Sequence, residues 1–130
     1  MGIRRVALIV FYDDEKRILL QYRKGINSKF CEEWGYFGGG IENGETPEQA
    51  VIRETKEELD FDLKDFKFVG KFVKPNLTEA FVFISPLKDK LSKFKQLEGT
   101  AMQLFDFNQA SKLKMVPGDE VILEAIGKIL

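Results

Sequence analysis

The tightest constraint on the fold of this chain is a stretch near its middle, Thr46-Pro47-Glu48-Gln49, which has the chemistry of a helix start. Thr46 suits the N-cap, Pro47 the first helical position, and Gln49, three residues on, completes a capping box. The helix so begun is expected over Thr46 to Leu59. At about 100° per residue, with Glu54 set at zero, Glu57 falls near −60° and Glu58 near +40°, so three carboxylates share one face. Val51, Ile52, Thr55 and Leu59 fall at about 60° to 160° and form a core-facing stripe beside the acidic one. Arg53, one turn before Glu57, is placed to orient a carboxylate by a charge-assisted hydrogen bond.

The flanking segments read as strands and turns. Arg5 to Tyr12 is nearly continuously apolar, Asp13-Asp14-Glu15-Lys16 turns the chain, and Arg17 to Arg23 runs back as a second, paired strand. Gly25 to Glu33 is loop-like, and Trp34-Gly35-Tyr36-Phe37 is a short strand entering Gly38-Gly39-Gly40. Phe66 to Lys74, Leu77 to Ser85 and Thr100 to Phe107 are further strands, and Lys88 to Lys95 is surface loop or helix. Pro117-Gly118-Asp119 caps a last amphipathic helix, with Val121, Ile122, Ala125, Ile126 and Ile129 expected on its inner side. This irregular interleaving predicts an α/β fold, a mixed sheet sandwiched between helices.

Length and composition bound the function. One domain over residues 1–130 is expected, and 44% apolar residues with twelve Phe suit a packed core. A net charge of −1 with scattered Lys and Arg provides no basic stripe, which argues against a long nucleic acid as main ligand. The apolar run from Val6 to Tyr12 is far below the ~20 residues that cross a bilayer, so a cytoplasmic protein without a membrane role is expected. The sequence has no histidine and a single cysteine, Cys31. Imidazole bases, Ser-His-Asp systems and Cys/His zinc sites are thereby excluded, and enzymatic chemistry would fall to carboxylates, lysines, tyrosines or an oxygen-bound metal.

The acidic helix face has two readings: a solvated surface with i,i+4 partners, or a site for a hard cation that prefers oxygen ligands. The Gly-rich segment and Glu45 just ahead of the helix favour the second, because glycines let the backbone approach a ligand closely. Gly39, five residues, Glu45, seven residues, then Arg53-Glu54-Thr55-Lys56-Glu57-Glu58-Leu59-Asp60-Phe61 resembles the Nudix box in every charged position. That family hydrolyses nucleoside diphosphates linked to another moiety. The chain departs from the box at Thr55, where an apolar residue is usual, and at Asp60, where Gly usually ends the helix in a left-handed conformation. Just upstream, Phe37 stands where Pro is common in the MutT-like branch.

The resemblance implies a Nudix-like fold, Mg²⁺ (or Mn²⁺) as cofactor and a pyrophosphohydrolase activity on a small nucleotide. It implies Glu54, Glu57, Glu58 and the Gly38 carbonyl as metal ligands, with Glu98 from a later loop as a further one. Glu45 and Arg53 are implied as supports, and Glu54, Glu57 or Glu98 as the base that activates water. Arg23, with Lys24 as its neighbour, resembles the upstream basic residue that touches phosphate, and the base is expected to meet the first strand, the Trp34 to Phe37 segment with Trp34 and Tyr36, and the chain near Phe105 to Asp119. Among substrates, a nucleoside triphosphate cut to monophosphate and pyrophosphate is favoured over ADP-ribose, nucleotide sugars and dinucleoside polyphosphates. A nucleotide sensor that binds without cutting is the alternative outside enzymology. Monomer and homodimer both stay open.

Overall fold

In a computed structural model, residues 2–23, 33–75, 77–97 and 101–130 are described, Arg23 by its backbone alone. Lys24 and Glu98 lie outside these residues. Strand β1, Arg4–Tyr12, forms the axis of a seven-stranded mixed sheet. Along one edge it runs parallel to β6, Thr78–Pro86, which in turn pairs antiparallel with β5, Lys67–Lys74. Its other edge is shared: Val6 to Ile9 face the glycine strand β4, Phe37–Gly40, while Tyr12 meets Ile18 at the start of β2, Ile18–Arg23. β2 also carries β3, Glu33–Gly35, and β7, Ala101–Phe105.

The continuous apolar run of β1 is explained by burial on both faces. Val6, Leu8 and Val10 point into one core with Ile122, Leu123 and Ile126 of helix α3, Asp119–Ile129. Ala7, Ile9 and Phe11 point into the other with Ala50, Val51 and Leu59 of helix α1, Pro47–Leu59. Alternation along a strand sends successive side chains to opposite layers, so one strand serves two cores. The result is the expected layering, with helices on both sides of a mixed sheet. Among the described residues, no helix is long and apolar enough to cross a membrane.

Helix α1 begins as read: the Thr46 hydroxyl accepts from Gln49 N–H at 3.1 Å, and the Gln49 side chain accepts from Thr46 N–H at 2.9 Å. It ends at Asp60, held in the left-handed region at φ 52°, ψ 43°, the backbone geometry that favours Gly. Thr55 is fully buried and its hydroxyl returns a hydrogen bond to the Val51 carbonyl, which is how a polar residue is accommodated at an apolar box position.

Several boundaries differ from expectation for local reasons. The Trp34–Phe37 segment is not one strand, because the chain changes partner at Tyr36, leaving β2 for β1. The strand expected over Thr100 to Phe107 stops at Phe105, where Asp106 and Gln109 form a second capping box opening a one-turn helix α2, Phe107–Ala110. The stretch around Lys88 to Lys95 contains a short 3₁₀ turn, Lys90–Lys93. On α3, Val121 and Ile129 face solvent at 56% and 55% exposure, and Leu123 takes an inner position instead. Asp119, at the start of α3, is buried on the same side as Ile122, Leu123 and Ile126. Ile52, at the margin of the predicted α1 stripe, is also exposed, and Ala50 is buried in its stead.

Candidate active site

The acidic face of α1 packs against the backbone of β4. The Gly38 N–H donates to Glu58 Oε1 at 2.7 Å, and the Glu58 side chain is almost fully buried. At Gly39 the Glu54 carboxylate occupies the place of a side chain: a Cβ there would stand 2.0 Å from Glu54 Oε1. Glu57 projects outward with its side chain 44% exposed. The helical wheel puts these three carboxylates on one face. What sorts them into buried, wedged and exposed is the glycine strand beneath.

Arg53 ties the face to the preceding loop. Its guanidinium donates twice to Glu45, Nε to Oε2 at 2.7 Å and Nη2 to Oε1 at 2.9 Å, and Nη2 also donates to the Gly40 carbonyl at 2.8 Å. Its remaining nitrogen, Nη1, lies 3.1 and 3.2 Å from the two Glu57 oxygens and 3.4 Å from Glu54 Oε2. One planar cation therefore anchors on Glu45 and β4 while it bridges two carboxylates of the cluster, the geometry a bidentate guanidinium provides and a Lys ammonium does not. Glu45 closes the loop by accepting the Glu42 N–H at 2.9 Å.

These contacts fix the charge of Glu45. The Arg53 hydrogen bonds, helped by the Glu42 amide, hold its carboxyl down to about 2 from an ordinary 4.5, and the same contact raises Arg53. A pKa lower in the folded chain than in the unfolded one contributes stability that is complete above the unfolded value. That contribution is lost as pH falls from about 4.5 to about 2. The thermal midpoints of the wild type and Glu45→Gln, recorded down this range, are expected to converge; a gap of constant width would show that the pair contributes nothing through ionisation.

Beside the β4 glycines, on the α3 side of the sheet, a cleft opens over Val6 and Leu8, walled by Gly35, Tyr36, Lys74 and Asp119. The Tyr36 ring is buried, its hydroxyl donates to the Asp119 carbonyl at 3.2 Å, and burial raises its pKa. Trp34 does not line this cleft; its ring is held between Tyr22 and Phe105, with centroids 5.1 and 4.8 Å away. Of the residues singled out from sequence, Gly38, Arg53, Glu54, Glu57 and Glu58 come together, Tyr36 sits in the adjoining cleft, and Trp34 lies behind it. Sequence reading missed Lys74 and its pairing with Asp119 across the cleft wall, which no local motif announces.

Among the described residues, no three acidic side chains already stand as a metal-holding cluster, and Arg53 bridges Glu54 and Glu57. The donor set is nevertheless all oxygen, and the glycine cradle holds two carboxylates against one backbone segment, which suits a hard divalent ion.

Comparison with known proteins gives a consistent picture. Residues 2–126 match the model of the NUDIX domain. The chain is 28% identical over 94 residues to an 8-oxo-dGTP diphosphatase from Proteus vulgaris, covering 69% of this chain and 83% of that protein. It is 34% identical over 70 residues to an RNA pyrophosphohydrolase from Marinomonas sp. (strain MWYL1), covering 54% of this chain but spanning only 40% of that relative's length. The MutT protein of Methanosarcina mazei Go1 superposes with a TM-score of 0.80 at 16% identity, covering 98% of this chain and 95% of that one.

Proposed function

Because the chain belongs to the NUDIX family, we propose that residues 1–130 act as one domain that hydrolyses a diphosphate linkage in a nucleotide. The favoured substrate is a nucleoside triphosphate, cleaved to monophosphate and pyrophosphate with the help of Mg²⁺ or Mn²⁺. The observation that carries this reading is the junction of α1 and β4. There Glu58 accepts from Gly38, Glu54 wedges against Gly39, and Arg53 steers Glu57 while anchored on Glu45. A surface helix with ordinary i,i+4 partners needs none of this.

Glu54, Glu57, Glu58 and the Gly38 carbonyl would hold the ion, with Glu98 as a further ligand. Bound there, a divalent cation would neutralise the diphosphate oxygens, the main requirement of phosphoryl transfer. Arg53 keeps the carboxylates in register. Glu54, Glu57 or Glu98 takes the proton from the attacking water as its oxygen bonds to phosphorus and the bridging P–O bond breaks. The phosphates lie at the Gly38–Gly39 end, the base enters the cleft beside Tyr36, and Arg23 and Lys24 are the proposed source of positive charge for the phosphates.

The relative named as an RNA pyrophosphohydrolase motivates a second substrate reading, a pyrophosphate linkage carried on RNA. Both are tested by phosphate or pyrophosphate release from nucleoside triphosphates, oxidised nucleotides, ADP-ribose, nucleotide sugars, dinucleoside polyphosphates and a 5′-triphosphate RNA, adding phosphatase where a product needs unmasking. Turnover with Mg²⁺ that disappears with chelator is expected for one class. Turnover that survives chelation would remove the metal from the mechanism, and binding without turnover would leave a nucleotide sensor.

A further inference from the structure

Arg53 makes two kinds of contact, and they differ in length and in exposure. Toward Gly40 and Glu45 its guanidinium donates hydrogen bonds of 2.7, 2.8 and 2.9 Å, and the Glu45 side chain is 14% exposed. Toward the acidic face it offers Nη1 alone, 3.1 and 3.2 Å from the two Glu57 oxygens and 3.4 Å from Glu54 Oε2, with the Glu57 side chain 44% exposed. Near-equal distances to both oxygens put Nη1 close to the bisector of the Glu57 carboxylate, the place a chelated cation takes. One positive charge thus serves three carboxylates: Glu45 is matched, and Glu54 and Glu57 share the remaining nitrogen. Contacts that are long, shared and wet cost little to break, whereas short and shielded ones cost more.

We propose that Arg53 is an exchangeable counter-ion. Its Nη1 arm holds Glu57 and Glu54 in place of a cation and releases them when a divalent ion binds, while the bonds to Glu45 and Gly40 stay closed. The inference rests on the proposed reading of the acidic face as a metal site. A divalent ion and Nη1 seek the same carboxylate lone pairs, and the ion brings more charge, so the two compete. The arrangement keeps mutually repelling carboxylates together before an ion arrives. It also lowers affinity for the ion by the strength of the contact that has to break.

The test needs no turnover. NMR spectra of the arginine side chains of the wild type are recorded with chelator and through a Mg²⁺ titration, with the backbone amides of Gly38 and Gly39, which touch Glu58 and Glu54, reporting occupancy of the acidic face. As those amides respond, the Arg53 Nη1 signal is expected to shift toward that of a solvated guanidinium while the Nε–H signal, bonded to Glu45, stays in place. Responding glycine amides with Arg53 unchanged, or with the Nε–H signal lost as well, overturn the exchange and leave the metal site standing. No response to Mg²⁺ at either place overturns both. Calorimetry with Mn²⁺ adds a test by sign. Arg53→Gln keeps a donor near the position of Nε and removes Nη1, so it is expected to bind Mn²⁺ about threefold more tightly than the wild type. Lys56→Gln, which removes a charge from the same helix where it pairs with Asp60 and Asp62, is expected to leave the affinity unchanged. An arginine that only orients the carboxylates gives weaker binding in Arg53→Gln, and that result in a folded variant also overturns the proposal. Should Arg53→Gln not fold, the wild-type titration decides alone.

Discussion

Glu57→Gln is expected to lower metal-supported turnover by about 100-fold or more, roughly 2.7 kcal/mol of transition-state stabilisation, while the protein stays folded. The separation of the two effects follows from where Glu57 stands. Its side chain is the most exposed of the three carboxylates and supports no packing, and the isosteric amide keeps an oxygen for Arg53 Nη1. What is lost is a charge at the point where a cation would be shared with the substrate. Turnover within a few-fold of wild type, with circular dichroism unchanged, would remove Glu57 from the metal site and weaken the assignment of Glu54 and Glu58 with it.

The neighbouring glycines of β4 should separate fold from chemistry. A Cβ on Gly38 would stand 2.0 Å from the Ala7 carbonyl oxygen and 2.8 Å from the Leu8 Cα, at a φ of +138° that side chains rarely adopt. Both obstacles are backbone of the central strand, so Gly38→Ala is expected to cost about 3 kcal/mol or more of stability. At Gly39 the obstacle is only the end of the Glu54 side chain. Gly39→Ala should therefore fold nearly as well as wild type, and lose about 10-fold or more in turnover because Glu54 has been pushed aside. Denaturant titration and turnover, measured on both variants, decide it. A stable Gly38→Ala protein, or a fully active Gly39→Ala protein, would contradict the geometry from which each expectation comes.

How far the sequence could be read depended on whether the determining contacts are local. The start of α1 was legible because Thr46 and Gln49 satisfy each other within one turn, and the shared acidic face because it follows from helical periodicity. The continuous apolar run of β1 was legible as a strand, but its burial on both faces comes from the two helix layers. Its parallel partner β6 is remote in sequence, and nothing in either strand states the pairing. That Glu58 is buried and Glu57 exposed depends on β4, which no wheel of α1 includes. The inner face of α3 was misjudged at Val121 and Ile129 for a similar reason: its first residue, Asp119, is tied to Lys74 and Tyr36, which are remote in sequence. Local chemistry marked the acidic residues of the box. The ion pair of Lys74 and Asp119 in the cleft wall is joined only by folding.

The strand that faces two cores also has an evolutionary consequence. The carboxylates of α1 belong to one layer and the cleft with Lys74 and Asp119 to the other, and they meet only along the glycine backbone of β4. Mutations that repack the α3 layer can explore new ligands while the reacting groups stay in place, and the reverse is equally true. A chain built this way can drift in what it recognises without first giving up what it does.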